Sequence, residues 1–445
     1  MVFTSFVFLF LFLPLSLIVF YITPKRFRHL PFLLSSLIFY GYWRLDFLLL
    51  IIFSIALDYT CSHQIYNSVG DEKRKKKFLF ISIFLNLGLL AYFKYFNFGL
   101  ENLSQILVFF GGDAISAMEI ILPVGISFFT FQTMSYTIDV YRGEIKPSKD
   151  LSLFATYVSM FPQLVAGPIV RYSEVHESLF NLSRKNIKFK KGLIQFVIGF
   201  NKKVLIANNV SEVADFAFKV NGADTQTAFI GALAYTLQIY FDFSGYSDMA
   251  IGLGRMFGFE FPVNFNSPYK SKSITEFWNR WHMTLSRWFK DYLYIPLGGN
   301  RLSPQRTYIN LFLVMFLCGV WHGAAWTFII WGCYHAAFLI AERFNGRKAL
   351  GYSKLPTFFQ IAITFCIAMI GWIPFRASSF PNLMDYLGAF LNREHDLKRS
   401  AIFEVLDMEK QFFIYAGLLI IFFFKNASED NNSKYFKTIN IINLL

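Results

Sequence analysis

Apolar residues fall into long runs along this chain, and the polar positions between them gather into short, mostly basic segments. Several runs approach the roughly 20 apolar residues that a spanning helix requires, whereas the roughly 10-residue alternating segments of a membrane barrel are absent. The pattern predicts an all-α, polytopic membrane protein. Spans are expected at 1–22, 30–42, 47–58, 78–95, 120–141, 192–210, 229–253, 358–374 and 412–424, with shorter runs on either side of residue 322. The first run lacks a basic leader and an evident small-residue cleavage site, which marks a retained span rather than a removable signal. Lysine and arginine concentrate in cytoplasmic loops of membrane proteins. Placing the loop of Lys25, Arg26 and Arg28 and the run 73–77 inside therefore puts the N-terminus outside. Residues 97–118 then lie at the outer surface, and the loop with Arg142, Lys146 and Lys149 is again inside. Continued alternation gives about eleven crossings, an outer loop over 376–410 and a cytoplasmic tail carrying Lys425, Lys434 and Lys437.

Some stretches break this rhythm. Residues 151–170 are short, are interrupted by Pro162, Gly167 and Pro168, and lead into the basic run 184–191. Irregular backbone at membrane depth is tolerated only against protein or a cavity, so a re-entrant or interfacial segment inside the bundle is expected. Lys202 and Lys203 interrupt the next span; snorkelling accounts for them more simply than contact with an anionic donor. Asp242 and Asp248 stand in the span after that. Each reads first as part of a buried ion pair or a helix-bending hydrogen bond; the alternative is that one of the two orients a histidine.

Between Ser273 and Lys290 the pattern becomes amphipathic. Ser273 with Glu276 three residues on is a capping-box signature, and Trp278, Trp281, Leu285 and Trp288 recur at helical spacing. One helix is expected, lying in the cytoplasmic interface with its tryptophans at the headgroup boundary and Arg280, Arg287 and Lys290 on its other faces. His282, four residues after Trp278, points with the buried face. Anchoring explains the tryptophans but not His282, which stands as a candidate catalytic or donor-contacting residue.

Composition narrows the function. Of 445 residues, 55% are hydrophobic and only 16% charged, with mean hydropathy +0.42, which is too apolar for soluble domains of this length. The net charge of +13 is assigned to loop topology rather than to nucleic acid. Cys61, Cys318, Cys333 and Cys366 are scattered without CxxC spacing, so neither a metal centre nor a disulfide framework is expected. GxxxxGK[ST], GxSxG and HExxH are also absent, which removes the usual markers of nucleotide-driven transport and of serine or zinc hydrolysis. No fixed-period repeat or linker divides the chain, and a single domain over 1–445 is expected.

One further stretch carries chemistry: Cys318-Gly319-Val320-Trp321-His322-Gly323-Ala324-Ala325-Trp326. It places an ionisable imidazole between two apolar runs. Polar groups at membrane depth are costly unless they line a protein interior or a watery cavity, so His322 is a functional candidate by default. The bland alternative is a histidine bonded to a neighbouring carbonyl. Gly319 and Gly323 leave room beside the ring for another backbone or a thin ligand.

The chain also contains Leu122-Pro123-Val124-Gly125-Ile126-Ser127-Phe128-Phe129-Thr130-Phe131-Gln132, Phe161-Pro162-Gln163-Leu164-Val165-Ala166-Gly167-Pro168-Ile169 and Tyr240-Phe241-Asp242-Phe243-Ser244-Gly245-Tyr246-Ser247-Asp248. With the His282 segment, Pro296-Leu297-Gly298-Gly299-Asn300-Arg301 and Trp321-His322-Gly323, these resemble the membrane-bound O-acyltransferase family. The likeness is to its bacterial branch that acetylates exported polysaccharides of the alginate type, and it spans residues 120–340 in motif order. It implies helices ringed around a central tunnel in the bacterial inner membrane, where a cytoplasmic acyl thioester meets an acceptor from outside. His322 corresponds to the family's catalytic histidine and His282 to its second. A neutral imidazole takes the proton of an acceptor hydroxyl as the oxygen attacks the thioester carbonyl.

On the same resemblance, Arg280, Arg287 and Lys290 suit the phosphates of acetyl-coenzyme A or of an acyl-phosphopantetheine on a carrier, beside their topological role. That donor is a substrate; no tightly bound cofactor and no metal are implied. The implied partners are an extracytoplasmic polysaccharide, a periplasmic or membrane-anchored acetyltransferase, and membrane lipids. Two alternatives stay open: D-alanyl transfer from a carrier protein toward teichoic acid, and a transporter or flippase.

Overall fold

The structure, a computed structural model, describes residues 1–116, 120–180, 188–220, 222–346, 348–391 and 400–424. The end of the 97–118 stretch, residues 184–187 of the basic run, 392–399 of the expected outer loop, and Lys425, Lys434 and Lys437 lie outside these residues. Every regular element among the described residues is helical. By length and composition, Phe47–Asn67, Glu72–Phe109 and Thr357–Arg376 can each cross a membrane, and Val7–Ile22 is a shorter apolar stretch.

The chain packs as two compact units. The first comprises Met1–Leu193, Ala250–Pro262 and Val320–Ala325; the second comprises Ile194–Met249, Val263–Gly319 and Trp326–Leu445.

In the first unit, Phe47–Asn67, Glu72–Phe109 and Ile126–Arg142 pack on one another, and His29–Gly41 packs on Leu151–Ser159. Lipid gives apolar helices no hydrophobic reason to associate, so close packing and interhelical hydrogen bonds hold them. Asp58 supplies the bonds. Fully buried on Phe47–Asn67, it accepts from Ser82 and from Asn86 Nδ2 at 2.8 Å on the second helix, and from Thr137 Oγ1 at 2.9 Å on the third. Aromatic packing fills the rest: the Phe161 ring lies 5.5 Å from Phe32 and 5.7 Å from Phe257.

Two boundaries differ from the hydropathy pattern. Glu72–Phe109 runs unbroken for 38 residues, joining the expected span 78–95 to the expected surface stretch after it. No proline interrupts it, and it ends only at Gly111, whose φ of +84° is left-handed. Ile126–Arg142 starts later than residue 120, after Pro123 and a left-handed Gly125. A Cβ at Gly125 would lie 2.5 Å from the Leu164 carbonyl oxygen, so the motif stretches 122–132 and 161–169 meet backbone to backbone. Residues 151–170 are broken as expected, into Leu151–Ser159 and Phe161–Leu164, and are largely buried.

In the second unit, Lys202–Ala207 forms a π-helical turn between Phe189–Asn201 and Asn208–Lys219. Gly199 approaches the Thr225–Phe257 helix so closely that a Cβ would lie 2.4 Å from the Gly245 carbonyl oxygen. Lys202 does not snorkel. It is buried and pairs with Asp248 at 2.6 Å, while Gln195 Nε2 donates to the same carboxylate at 3.1 Å. Lys203 pairs with Asp242. Each aspartate thus has its own lysine, as the ion-pair reading expects.

Candidate active site

The segment from 273 to 290 is two short helices, Ile274–Arg280 and Met283–Phe289, where one was expected. The break is His282, a non-glycine residue at φ +43°, a conformation that costs an L-residue about 1–2 kcal/mol. A polar strap holds it: Asn264 accepts from Met283 N at 2.9 Å through its backbone and from Thr284 Oγ1 at 2.9 Å through its side chain, and Asn266 N donates to the Arg280 carbonyl at 2.9 Å. Ser273 Oγ caps the first helix at Glu276 N, 3.1 Å away, but Glu276 returns to Lys272 N at 2.8 Å rather than to Ser273.

The break turns the tryptophans inward. Trp278, Trp281 and Trp288 are all buried, so headgroup anchoring is replaced by core packing. Trp281 lies 4.7 Å from Trp372, and Trp278 lies 5.5 Å from Trp331. His282 is 1% exposed, with the Phe243 ring edge-on at 4.7 Å. Burial pulls its imidazole down to about 3, so the ring is neutral near pH 7.

The three cations of this segment do not form one free edge. Arg280 pairs with Glu276 at 2.7 Å, Nε and Nη2 of Arg287 are buried, and Lys290 is exposed. Glu342, at the end of Trp326–Phe344, is a member of this assembly that the hydropathy pattern did not single out. Its carboxylate is 1% exposed and accepts from Ile274 N at 2.8 Å, Thr275 N at 2.8 Å and Thr275 Oγ1 at 2.7 Å. An anion belongs at these free amides, because a helix N-terminus carries partial positive charge. His335 on the same helix is fully buried against Trp278 at 5.0 Å and Trp331 at 5.2 Å.

Gly319 is close-packed rather than open: a Cβ there would lie 2.4 Å from the Phe328 carbonyl oxygen. This seats Pro304–His322 directly on Trp326–Phe344. The last turn of the former belongs to the first unit, and His322 is its final residue. His322 is partly exposed, and its ring lies 5.0 Å from that of Trp321. Trp321 is boxed by Phe128 and Phe131, each at 5.5 Å. Lys94 donates to the Trp321 carbonyl, and Tyr95 Oη donates to the Val320 carbonyl at 2.5 Å. His322 therefore falls in the first unit, whereas His282, Arg280, Arg287 and Lys290 fall together in the second. Lys94 was missed although its isolation within an apolar run was an available signal; Glu342 was missed because it stands beside Arg343 at the end of its run, where charges are ordinary.

No group of histidine, cysteine, aspartate and glutamate with metal-site geometry occurs among the described residues. The model of the membrane-bound O-acyltransferase family matches residues 83–348. The chain is 47% identical over 382 residues to a probable alginate O-acetylase of Pseudomonas aeruginosa, covering 85% of this chain and 72% of that protein. It is 37% identical over 421 residues to a peptidoglycan O-acetyltransferase of Helicobacter pylori, covering 87% and 79%. It is 31% identical over 279 residues to a teichoic acid D-alanyltransferase of Bacillus subtilis, covering 58% of this chain and 69% of that protein.

Proposed function

Because the chain belongs to the membrane-bound O-acyltransferase family and is thus a membrane O-acyltransferase, we propose that it moves an acetyl group from a cytoplasmic thioester to hydroxyls of an extracytoplasmic cell-envelope polysaccharide. The observation that carries this reading is the 47% identity, over most of both chains, to a probable alginate O-acetylase. The similarity to a D-alanyltransferase is lower and covers less of this chain, so D-alanyl transfer is the second outcome that the test below distinguishes. Family membership removes the transporter alternative, since acyl transfer consumes a thioester and transport does not.

In this reading His322 is the general base. Its neutral imidazole takes the proton of the acceptor hydroxyl as the oxygen attacks the thioester carbonyl; the tetrahedral intermediate collapses to ester, and the departing thiolate takes the proton from the imidazolium. His282, neutral and buried, serves the donor side. Arg287, Lys290 and the Glu276-paired Arg280 draw the phosphates of acetyl-coenzyme A or of a carrier-bound phosphopantetheine, as charge-assisted bonds to phosphate do. About eleven helices spanning the bacterial inner membrane, with the N-terminus outside and the C-terminus in the cytoplasm, form one catalytic domain around a tunnel. The group reaches the glycan directly or through a periplasmic or membrane-anchored acetyltransferase that passes it on.

The test is mass analysis of envelope glycans from cells with the native protein, with His322→Ala at equal abundance, and without the protein. Acetyl esters that vanish in the last two are expected, a base contributing about 10²–10⁴-fold. Loss of D-alanyl esters would move the function to the second reading, and near-native acetyl content in His322→Ala would remove the histidine from the chemistry.

A further inference from the structure

Lys94 stands partway along Glu72–Phe109, inside a stretch apolar enough to cross a membrane. Its ammonium donates to the Trp321 carbonyl oxygen and to Ser127 Oγ at 3.3 Å, and it sits 5.5 Å over the Trp321 ring. Among the described residues no carboxylate pairs with it. A lysine ammonium in so apolar a stretch needs hydrogen-bond partners. Here the partners are the Ser127 hydroxyl and the Trp321 carbonyl, the latter at the C-terminal end of Pro304–His322. The last four carbonyls of a helix have no intrahelical donor and carry partial negative charge, so a cation both satisfies and neutralises them.

Tyr95, the next residue, holds the preceding carbonyl, that of Val320. The two residues before His322 are therefore gripped by two consecutive side chains of one long helix. The grip rests on rigid ground. Ser127 lies in the first turn of Ile126–Arg142, just after the Gly125 that abuts the Leu164 carbonyl, and Phe128 and Phe131 of that helix wall the Trp321 ring.

We propose that Lys94, with Tyr95 as a second hold, is the positioning residue of the acyl-transfer site: it fixes the last helical turn so that the His322 ring is presented to the reacting hydroxyl. This rests on the reading of His322 as the base. Lys94 acts through the backbone that carries the histidine, and displacement of a reacting group by about 1 Å costs about 10²-fold in rate.

The test compares Lys94→Met, Lys94→Arg, Tyr95→Phe, His322→Ala and the double variant Lys94→Met/His322→Ala. Envelope acetyl esters are measured at matched abundance, and proteoliposomes are assayed over a range of acetyl-coenzyme A concentrations. Lys94→Met is expected to lower kcat by about 10²-fold with KM for the donor within about twofold, Lys94→Arg to restore most of the loss, and the double variant to be no slower than His322→Ala. A kcat for Lys94→Met above about a third of native, or a double variant slower than His322→Ala by a further 10²-fold or so, overturns the proposal. Should Lys94→Met fail to give monodisperse protein, Tyr95→Phe decides, and a kcat within about twofold of native overturns it. An active His322→Ala sinks the base assignment and this inference together; an inactive His322→Ala beside an active Lys94→Met sinks this inference alone.

Discussion

Glu342→Gln is the sharpest single test of how the His282 segment is held. The native carboxylate, almost wholly buried, accepts three hydrogen bonds from Ile274 and Thr275. Glutamine keeps one oxygen and turns an NH₂ toward amide donors, so at least one buried N–H loses its acceptor, at about 1–3 kcal/mol. The helix N-terminus also loses its anion, worth about 0.3–1 kcal/mol. Together these loosen the first turn of Ile274–Arg280 by about 3 kcal/mol, and at 1.4 kcal/mol per tenfold the Ile274 and Thr275 amides should exchange about 10²-fold faster. Hydrogen–deuterium exchange on a peptide covering 272–278, in one detergent for both proteins, reads this directly, with a peptide from Glu72–Phe109 as the unchanged control. Thr275→Val removes only the hydroxyl donor and should cost about 1 kcal/mol in the native background and less in Glu342→Gln. Exchange within about threefold of native would show that the carboxylate does not order the segment.

Asp248→Asn should destabilise the protein by about 3–5 kcal/mol by stranding Lys202, and Lys202→Met/Asp248→Leu should recover most of it; melting in detergent checks this, and a single variant as stable as native refutes the pair's role. His282→Asn should fold better than His282→Ala, because asparagine tolerates the left-handed backbone that costs alanine about 1–2 kcal/mol. A buried His282 with a pKa near 3 against an ordinary 6.5 leaves the unfolded chain binding the extra proton below 6.5, so its contribution to stability is lost as pH falls from 6.5 toward 3. The native melting temperature should therefore drop more steeply than that of His282→Asn from pH 6.5 to 4.5, and parallel curves would refute this. Cysteines placed at Lys75 and Lys270 should react with permeant but not impermeant thiol reagents added outside intact cells, and the reverse pattern would invert the topology.

Hydropathy and motif order alone determined the helical membrane class, the family, the interruption near Pro162, and His322 as the residue to test. Those features are local: a run of apolar side chains or a proline acts on its own stretch of backbone. What the tertiary structure decided is who meets whom. Lys94 reaches Trp321 across 227 positions, Glu342 reaches Ile274 across 68, and Asp248 reaches Lys202 across 46. Each charge stands in plain view in the sequence, but its partner sits on another helix, and periodicity gives a face without naming the neighbour that covers it. The same holds for His282. Tryptophan spacing suggested one continuous helix, yet the packing of Trp281 on Trp372 and the Asn264 strap to Met283 and Thr284 support a left-handed residue between two short ones, because long-range contacts outweigh the 1–2 kcal/mol or so of local backbone preference that periodicity reports.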